Sequence, residues 1–237
     1  GSSILDLVKG YGDLSRRAVH YFMHGLSFRE YLEFELGTPL KTFALSEILE
    51  GKFDLNLKKP LFYFNQYLSN GYYPFYKEPD YELKLLNVVN VILEVDIVQY
   101  LDLKSSTISK LKKLLQIIAE SVPFKPNIAN IAQLSGIPRS QLLDYLRYLE
   151  KAGLIHLLSS STKGIQGLGK PEKIYLNNPN LCSVLAAGQT SDIGNKRETF
   201  FMSQLIPKHR IEIPKAGDFL VDGKIFEIGG KNKNRKQ

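Results

Sequence analysis

The chain has 237 residues, of which 43% are hydrophobic and 23% are charged, a balance typical of a globular protein and not of a disordered one. Its only cysteine, Cys182, excludes an internal disulfide framework and a cysteine-based zinc site, and it is typical of a reducing compartment. No apolar run approaches the ~20 residues that a membrane span needs, so we expect a cytoplasmic protein with no membrane partner.

The formal net charge of +7 is unevenly distributed along the chain. Residues 1–100 contain ten Lys/Arg and thirteen Asp/Glu, whereas residues 101–237 contain twenty-one Lys/Arg and eleven Asp/Glu, a net charge of +10. A basic half beside an acidic half favours a polyanion such as DNA as a partner of the C-terminal half. A solvated surface with surplus lysine explains the same charge distribution equally well.

The N-terminal part of the chain has two segments with helical signals. Residues 1–40 alternate short helical and loop signals, and residues 41–104 are helical and rich in aromatic residues, with a loop signal at Asn70-Gly71. The chain begins without methionine and ends shortly after a lone hairpin, which is marginally stable by itself. We therefore expect that both ends are cut from a longer protein.

Residues 105–180 have the clearest pattern in the chain. A helix with apolar residues at helical spacing is followed by a short helix that starts at Asn127 and stops at Gly136. A third helix has Pro138 just inside its start and ends at Gly153. An alternating strand, a loop rich in Gly, Ser and Lys, and a second strand complete the segment. Three helices followed by a β-hairpin predict a winged helix.

The third helix of such a segment can enter the major groove of DNA. Its predicted buried stripe consists of Leu142, Tyr145, Leu146 and Leu149. The candidate DNA-binding residues are Arg139, Gln141, Arg147 and Lys151 on this helix and Lys163 in the wing loop. Lys170 and Lys173 add further positive charge to the wing, whereas Asp144 and Glu150 weaken the basic character of the helix. The segment is interpreted either as a DNA reader or as an internal docking module, and the mixed charge favours docking.

Residues 181–237 begin with a helix and continue with a second helix from Arg197 to about Leu205. Two strands, 219–221 and 224–228, then flank Asp222-Gly223, a strong signal for a tight hairpin. A helix followed by strands that bear acidic residues predicts an α/β domain whose remainder is missing. The predicted fold class is therefore α+β with several domains, at residues 1–40, 41–104, 105–180 and 181–237.

Several motifs along the chain resemble those of one family. In chain order they are Gly1-Ser2-Ser3-Ile4-Leu5, Leu14-Ser15-Arg16-Arg17, Leu26 to Leu32, Tyr67 to Pro74, Gly194 to Phe200, and Asp218 with Glu227. Their order resembles that of bacterial and archaeal AAA+-type ATPases that carry a C-terminal winged helix and a PD-(D/E)XK nuclease-like domain, long classified as a domain of unknown function. The resemblance implies that residues 1–40 are a remnant of the ATPase core and residues 41–104 a helical lid.

The resemblance also implies where nucleotide would bind. The phosphate-binding motif G-x-x-x-x-G-K-[ST] does not occur in the sequence. In the family this motif and the acidic strand that holds Mg²⁺ lie N-terminal to the part that this chain resembles. ATP and Mg²⁺ are therefore expected in the parent protein, with no cofactor tightly bound by this chain. Arg16 and Arg17 would be nucleotide-sensing residues, since guanidinium is always charged and grips phosphate oxygens bidentately.

The C-terminal segment resembles the PD-(D/E)XK nuclease fold, which gathers acidic residues and a lysine around Mg²⁺. The resemblance assigns Glu198, Asp218 and Glu227 as the acids, with Asp218 and Glu227 as the metal ligands. The lysine expected two residues after Glu227 is replaced by Gly229, and the nearest lysine is Lys231. This departure favours a metal-binding relic over an active nuclease.

The patterns and the resemblance together predict the C-terminal lid, winged-helix and nuclease-like region of an AAA+-type ATPase. Such a region would couple the ATP state to a partner without catalysis of its own, and the missing ATPase core would be one of its partners. The alternative is a DNA-binding module, formed by the winged helix and the nuclease-like domain, with the acids as a relic of a metal-dependent nuclease.

Overall fold

The computed structural model describes residue 19 and the ranges 21–54, 57–98, 105–120, 127–160, 170–186 and 193–229. Within these ranges the chain is rich in α-helix and has two small antiparallel sheets, which confirms the α+β class. The helices are α1 (Phe28–Leu36), α2 (Leu45–Leu49), α3 (Pro60–Asn70), α4 (Tyr81–Val91) with a π-helical continuation (Ile92–Asp96), α5 (Ser105–Glu120), α6 (Ile128–Ser135), α7 (Arg139–Lys151), α8 (Pro179–Leu185) and α9 (Ile193–Leu205). The strands are β1 (Ile155–Leu158), β2 (Lys173–Leu176), β3 (Ile211–Glu212), β4 (Phe219–Val221) and β5 (Lys224–Phe226).

An aromatic cluster holds the N-terminal helices together. Helix α1 begins with a capping box, in which Ser27 Oγ accepts from the Glu30 amide at 3.2 Å and Glu30 Oε2 accepts from the Ser27 amide at 2.7 Å. Its apolar face places Tyr31 against Tyr67 of α3, with ring centroids 5.5 Å apart. Phe200 of α9 contacts Tyr67 edge-on at 5.6 Å. The C-terminal helix α9 therefore completes a core that begins in the N-terminal part of the chain.

The largest core contains residues from every helix between α4 and α8. The helix limits follow the expected signals, since the Asn127 side chain accepts from the Asn130 amide and Gly136 ends α6 at φ 68°. Pro138 is the extended residue before α7, so this helix begins one residue later than predicted. The structure corrects one residue of the predicted buried stripe. Tyr145 is only partly buried, because its hydroxyl donates to the exposed Gln141 Oε1 at 3.4 Å.

The β1–β2 hairpin is covered on both of its faces. The strands pair antiparallel with Ile155 opposite Leu176. Because side chains alternate along a strand, Ile155, Ile174 and Leu176 enter the large core, whereas Leu158 and Tyr175 enter a second core shared with α9 and the C-terminal sheet. The Ile213 amide donates to the Ser159 carbonyl at 3.1 Å and ties the C-terminal sheet to the end of β1. The hairpin is therefore the middle layer of the molecule.

The C-terminal sheet has the strand order β3-β4-β5. Asp222 and Gly223, at φ 48° and 77°, form the two-residue turn between β4 and β5, which confirms the predicted hairpin. Strand β5 ends at Phe226 and not at Ile228, because the Ile228 amide donates to the Asp218 side chain at 2.7 Å. Helix α9 begins at Ile193, earlier than the predicted start at Arg197.

Candidate functional site

A buried cluster of charged side chains lies where α9, β2 and β4 meet. Glu198 projects from α9 and is 7% exposed, and Asp218 directly precedes β4 with a side chain that is 16% exposed. Charged side chains are seldom buried unless they are paired, so the partners of these carboxylates decide what the site can do. The structure therefore brings together two of the three predicted acids.

The partner that the two acids share is Lys173 of β2. Its Nζ lies 3.4 Å from Glu198 Oε2 and 3.9 Å from Asp218 Oδ1, and the residue is 7% exposed. The sequence interpretation placed Lys173 on the basic wing, and the structure corrects this: the alternation of β2 directs it into the second core beside Tyr175.

Tyr175 completes the immediate surroundings of Glu198. Its hydroxyl donates to Glu198 Oε2 at 2.7 Å. Burial, the neighbouring Glu198 carboxylate and Asp218 all raise the pKa of Tyr175 far above its ordinary value. The phenol therefore stays protonated and remains a hydrogen-bond donor throughout the physiological pH range.

The remaining predicted members of the nuclease-like site are Glu227 and Lys231. Glu227 is exposed, and Lys231 lies beyond the residues that the structure describes. Across the described ranges no group of three or more His, Cys, Asp and Glu side chains is arranged to hold a metal ion. Two carboxylates that share an ammonium group are not the all-oxygen donor set that Mg²⁺ or Mn²⁺ prefers, so the residues present do not fit the metal that the nuclease-like resemblance implies.

Four of the five candidate DNA-binding residues lie on α7. Arg139, Gln141 and Lys151 are exposed, whereas Arg147 forms an ion pair with Asp144 at 3.6 Å. Glu150 lies on the same helix, and its carboxylate accepts from the Leu157 amide at 2.8 Å. Lys163 lies outside the described residues, as do the predicted nucleotide-sensing residues Arg16 and Arg17.

A second polar site, which the sequence interpretation missed, joins the helices around α8. The Asn180 side chain is fully buried, and its Oδ1 accepts from the Tyr72 amide and the Tyr81 hydroxyl, both at 2.8 Å. Its Nδ2 donates to the carbonyls of Tyr67 at 2.8 Å and Leu68 at 3.2 Å. One sequence signal for this site was available. Asn178-Pro179 is an asparagine cap followed by proline, which marks the start of α8 and places Asn180 in its first turn.

Gln204 of α9 forms a matching junction with the N-terminal helices. Its Nε2 donates to the Tyr67 hydroxyl at 2.8 Å, and its Oε1 accepts from the Phe28 amide at 2.7 Å. The Tyr67 hydroxyl in turn donates to the Leu26 carbonyl at 2.6 Å. The buried Asn180 therefore connects α8 to α3 and α4, and the partly buried Gln204 connects α9 to α1 and α3; we call the contacts of Asn180 and Gln204 the amide junction.

None of the helices in the described ranges combines the length and the apolar character that crossing a bilayer requires.

The geometry defines an α-rich protein of the α+β class with a buried acid–lysine cluster. The chain belongs to the family described as domain of unknown function DUF8612, whose model matches residues 61–192. It is similar to the uncharacterized protein MJ1637 of Methanocaldococcus jannaschii, with 28% identity over 167 residues that cover 65% of this chain and 35% of that protein. The chain thus spans about a third of the length of this curated relative. No solved structure matches the chain.

The matched range begins in α3 and ends at residue 192, directly before α9. It contains Lys173 and Asn180 but neither Glu198 nor Asp218. The acid–lysine cluster therefore joins the family's own region to the segment that follows it.

Proposed function

We propose that this chain is the coupling region of a larger AAA+-type ATPase, in which residues 105–180 form a winged helix that docks and does not read DNA. The arguments for this proposal are the order of motifs, which resembles that family, and the way in which the described helices are joined. ATP and Mg²⁺ would be held by the ATPase core elsewhere in the parent protein. Arg16 and Arg17 of this chain would contact the nucleotide that the ATPase core holds.

The observation that carries the proposal is the amide junction. A coupling region has to move as one body, because a displacement at one end is otherwise lost in relative motion between its parts. Asn180 connects α8 to α3 and α4, and Gln204 connects α9 to α1 and α3. Each of these amides is satisfied by partners from distant parts of the chain, so sliding of one helix leaves buried polar groups unpaired.

The charge of α7 supports docking over DNA binding. Its outward cations are Arg139, Arg147 and Lys151, and Arg147 is paired with Asp144. The buried Lys173 is removed from the surface that a wing would offer to phosphates. A module that binds DNA relies on several free cations near the backbone, and this helix presents few of them.

The first experiment measures ATP hydrolysis by the purified chain with Mg²⁺. The proposal expects no turnover above the buffer rate, whereas magnesium-dependent turnover that co-purifies with the chain contradicts it.

The second experiment compares the full-length ATPase with its Asn180→Ala variant. Asn87→Ala, which changes an exposed amide on α4, is the matched control. We expect that Asn180→Ala leaves nucleotide binding intact and weakens the effect of nucleotide on partner binding, while Asn87→Ala changes neither.

A second candidate function is a DNA-binding module, favoured by the net charge of +10 in residues 101–237 and by the exposed Arg139, Gln141 and Lys151. Fluorescence anisotropy with a short labelled duplex distinguishes the two. Binding through phosphates weakens by about a hundredfold between about 50 and about 200 mM salt for a few released counterions. A docking module shows no binding even at the lower salt concentration. Binding that Arg139→Ala together with Lys151→Ala abolishes favours the DNA-binding module.

A further inference from the structure

We infer that the Lys173 ammonium group is the counter-ion of the Glu198–Asp218 pair and that it prevents divalent metal ions from binding to these two acids. The inference concerns the acid–lysine cluster alone and does not depend on the proposed function. It assigns to one lysine of the hairpin the position that a metal ion holds in the nuclease-like interpretation of the C-terminal segment.

The position of the ammonium group supports this assignment. Lys173 Nζ lies within ion-pair distance of one oxygen from each acid, at 3.4 Å from Glu198 and 3.9 Å from Asp218. The same group lies over the rings of Tyr175 and Phe219, 5.8 and 5.6 Å from their centroids. The ammonium is therefore buried among two carboxylates and two ring faces.

At least three of the four carboxylate oxygens of the pair already have a partner. Glu198 Oε2 accepts from the Tyr175 hydroxyl at 2.7 Å, and Asp218 Oδ2 accepts from the Ile228 amide at 2.7 Å. Mn²⁺ or Mg²⁺ bound to both acids would lie about 2.1 Å from their oxygens and therefore within a few ångströms of the ammonium. In this cluster the ammonium is itself the counter-ion of both acids, so a divalent cation would have to displace it against strong charge repulsion.

Removal of the ammonium should therefore open the site. In Lys173→Met a side chain of similar length remains, but the ammonium group and its positive charge are lost. Two buried carboxylates without a counter-ion are strained by mutual repulsion, and a divalent cation relieves that repulsion. Lys173→Arg retains the charge and keeps the site closed.

The test is a Mn²⁺ titration of the full chain, observed by paramagnetic broadening of the Ile228 amide signal, whose donor group contacts Asp218. We expect no specific broadening of the wild type or Lys173→Arg up to about 1 mM Mn²⁺, the weak end of protein sites for hard cations. We expect saturable broadening of Lys173→Met with at least tenfold tighter binding, and its loss in Lys173→Met/Asp218→Asn. The matched control is Lys196→Met on α9, since Lys196 donates to Ser183 Oγ at 2.9 Å, and it should behave as the wild type.

Saturable broadening of the wild type at this cluster, or equal Mn²⁺ affinity of the wild type and Lys173→Met, overturns the inference. If Lys173→Met does not fold, the wild type and Lys173→Arg decide alone: specific binding to either one contradicts the inference, and its absence in both supports it.

Discussion

Each of the two polar atoms of the Asn180 side chain makes two hydrogen bonds. Its Oδ1 takes two donors, and its Nδ2 contacts two carbonyl groups, all of them in other helices or turns. An amide is the side chain that presents one acceptor and one double donor side by side, so neither a carboxylate nor an aliphatic group can replace it. The identity of this residue is therefore fixed by the positions of its four partners.

Asn180→Ala is expected to lower the free energy of unfolding by about 3 kcal/mol, because it leaves several buried polar groups without partners. Asn180→Asp should be at least as destabilising, since its second oxygen would face the carbonyls of Tyr67 and Leu68. Urea denaturation measures both changes. The control Asn87→Ala should stay within about 0.5 kcal/mol of the wild type. An equal effect of Asn180→Ala and Asn87→Ala would show that the buried amide contributes nothing to stability.

Gly71 is required by a close approach and not by an unusual backbone angle, since its φ is −86°. A Cβ at this position would lie 2.7 Å from Tyr67 Cα and 2.9 Å from the Tyr31 ring. Gly71→Ala should therefore lower the free energy of unfolding by about 2 kcal/mol through overpacking. Gly51→Ala is the comparison, because Gly51 has φ 70° and open space around it, and it should cost about 1 kcal/mol. A thermal unfolding series that ranks Gly51→Ala as the worse variant contradicts the packing argument.

His156 makes the fold sensitive to acid. Burial lowers the pKa of His156 from 6.5 to about 4, with a smaller contribution from the nearby His24. Because the folded pKa lies below the unfolded one, the unfolded chain binds the proton first as the pH falls. Stability is therefore full above pH 6.5, decreases between pH 6.5 and about 4, and decreases no further for this group below that.

At pH 5 the loss should amount to about 2 kcal/mol relative to neutral pH. His156→Phe removes the titrating group, so its stability should vary less with pH than that of the wild type over this window. The exposed His209 provides the control, because His209→Gln leaves the buried ring in place. Parallel stability curves for the wild type and His156→Phe between pH 4 and 6.5 would refute the role of His156.

At the scale of single elements, helices are predicted well where their signals are local. The Asn127 cap, the Gly136 stop and the Asp222-Gly223 turn act within a few residues, so the sequence is sufficient to place them. The burial of Lys173 could not be predicted in this way. Its two acids follow it by 25 and 45 residues in the chain, and no periodicity connects positions so far apart.

The capping box of α1 gives a prediction for one element. Ser27→Ala removes the acceptor for the Glu30 amide, and the expected loss in the free energy of unfolding is about 1 kcal/mol. Glu30→Ala should weaken the same box, so the double variant should lose less than the sum of the two single variants. Ser46→Ala, in the exposed helix α2, is the control. Additive losses would show that the two hydrogen bonds do not act as a unit.

At the scale of the whole molecule, the cores do not follow the local patterns of the sequence. The large core extends from Tyr81 to Cys182 and crosses the predicted boundary at 104/105, and Phe200 packs on the N-terminal aromatic cluster. The predicted domain limits mark changes in local pattern, which carry no information about long-range packing. The family match over 61–192 likewise crosses the predicted limits. The amide junction connects helices on both sides of these limits, and residue spacing alone could not predict its contacts.

A molecule joined in this way should unfold in one step. The chain has 13 tyrosines and no tryptophan, so tyrosine fluorescence reports on the aromatic cluster and the hairpin, while far-ultraviolet circular dichroism reports on the helices. We expect coincident urea transitions by both methods. In Asn180→Ala the two transitions should separate, because the junction between α8 and α3 is lost. Separate transitions in the wild type would contradict the single-body description.

The position of the hairpin between two cores has a consequence for the evolution of chain length. Side chains of β1 and β2 alternate between the two cores, so the insertion or deletion of one residue within either strand would exchange its faces. Lys173 would then enter the large apolar core and Ile174 would meet the carboxylates of Glu198 and Asp218. Length differences among relatives should therefore accumulate in the segment between the two strands, whereas the strands themselves should keep a constant number of residues.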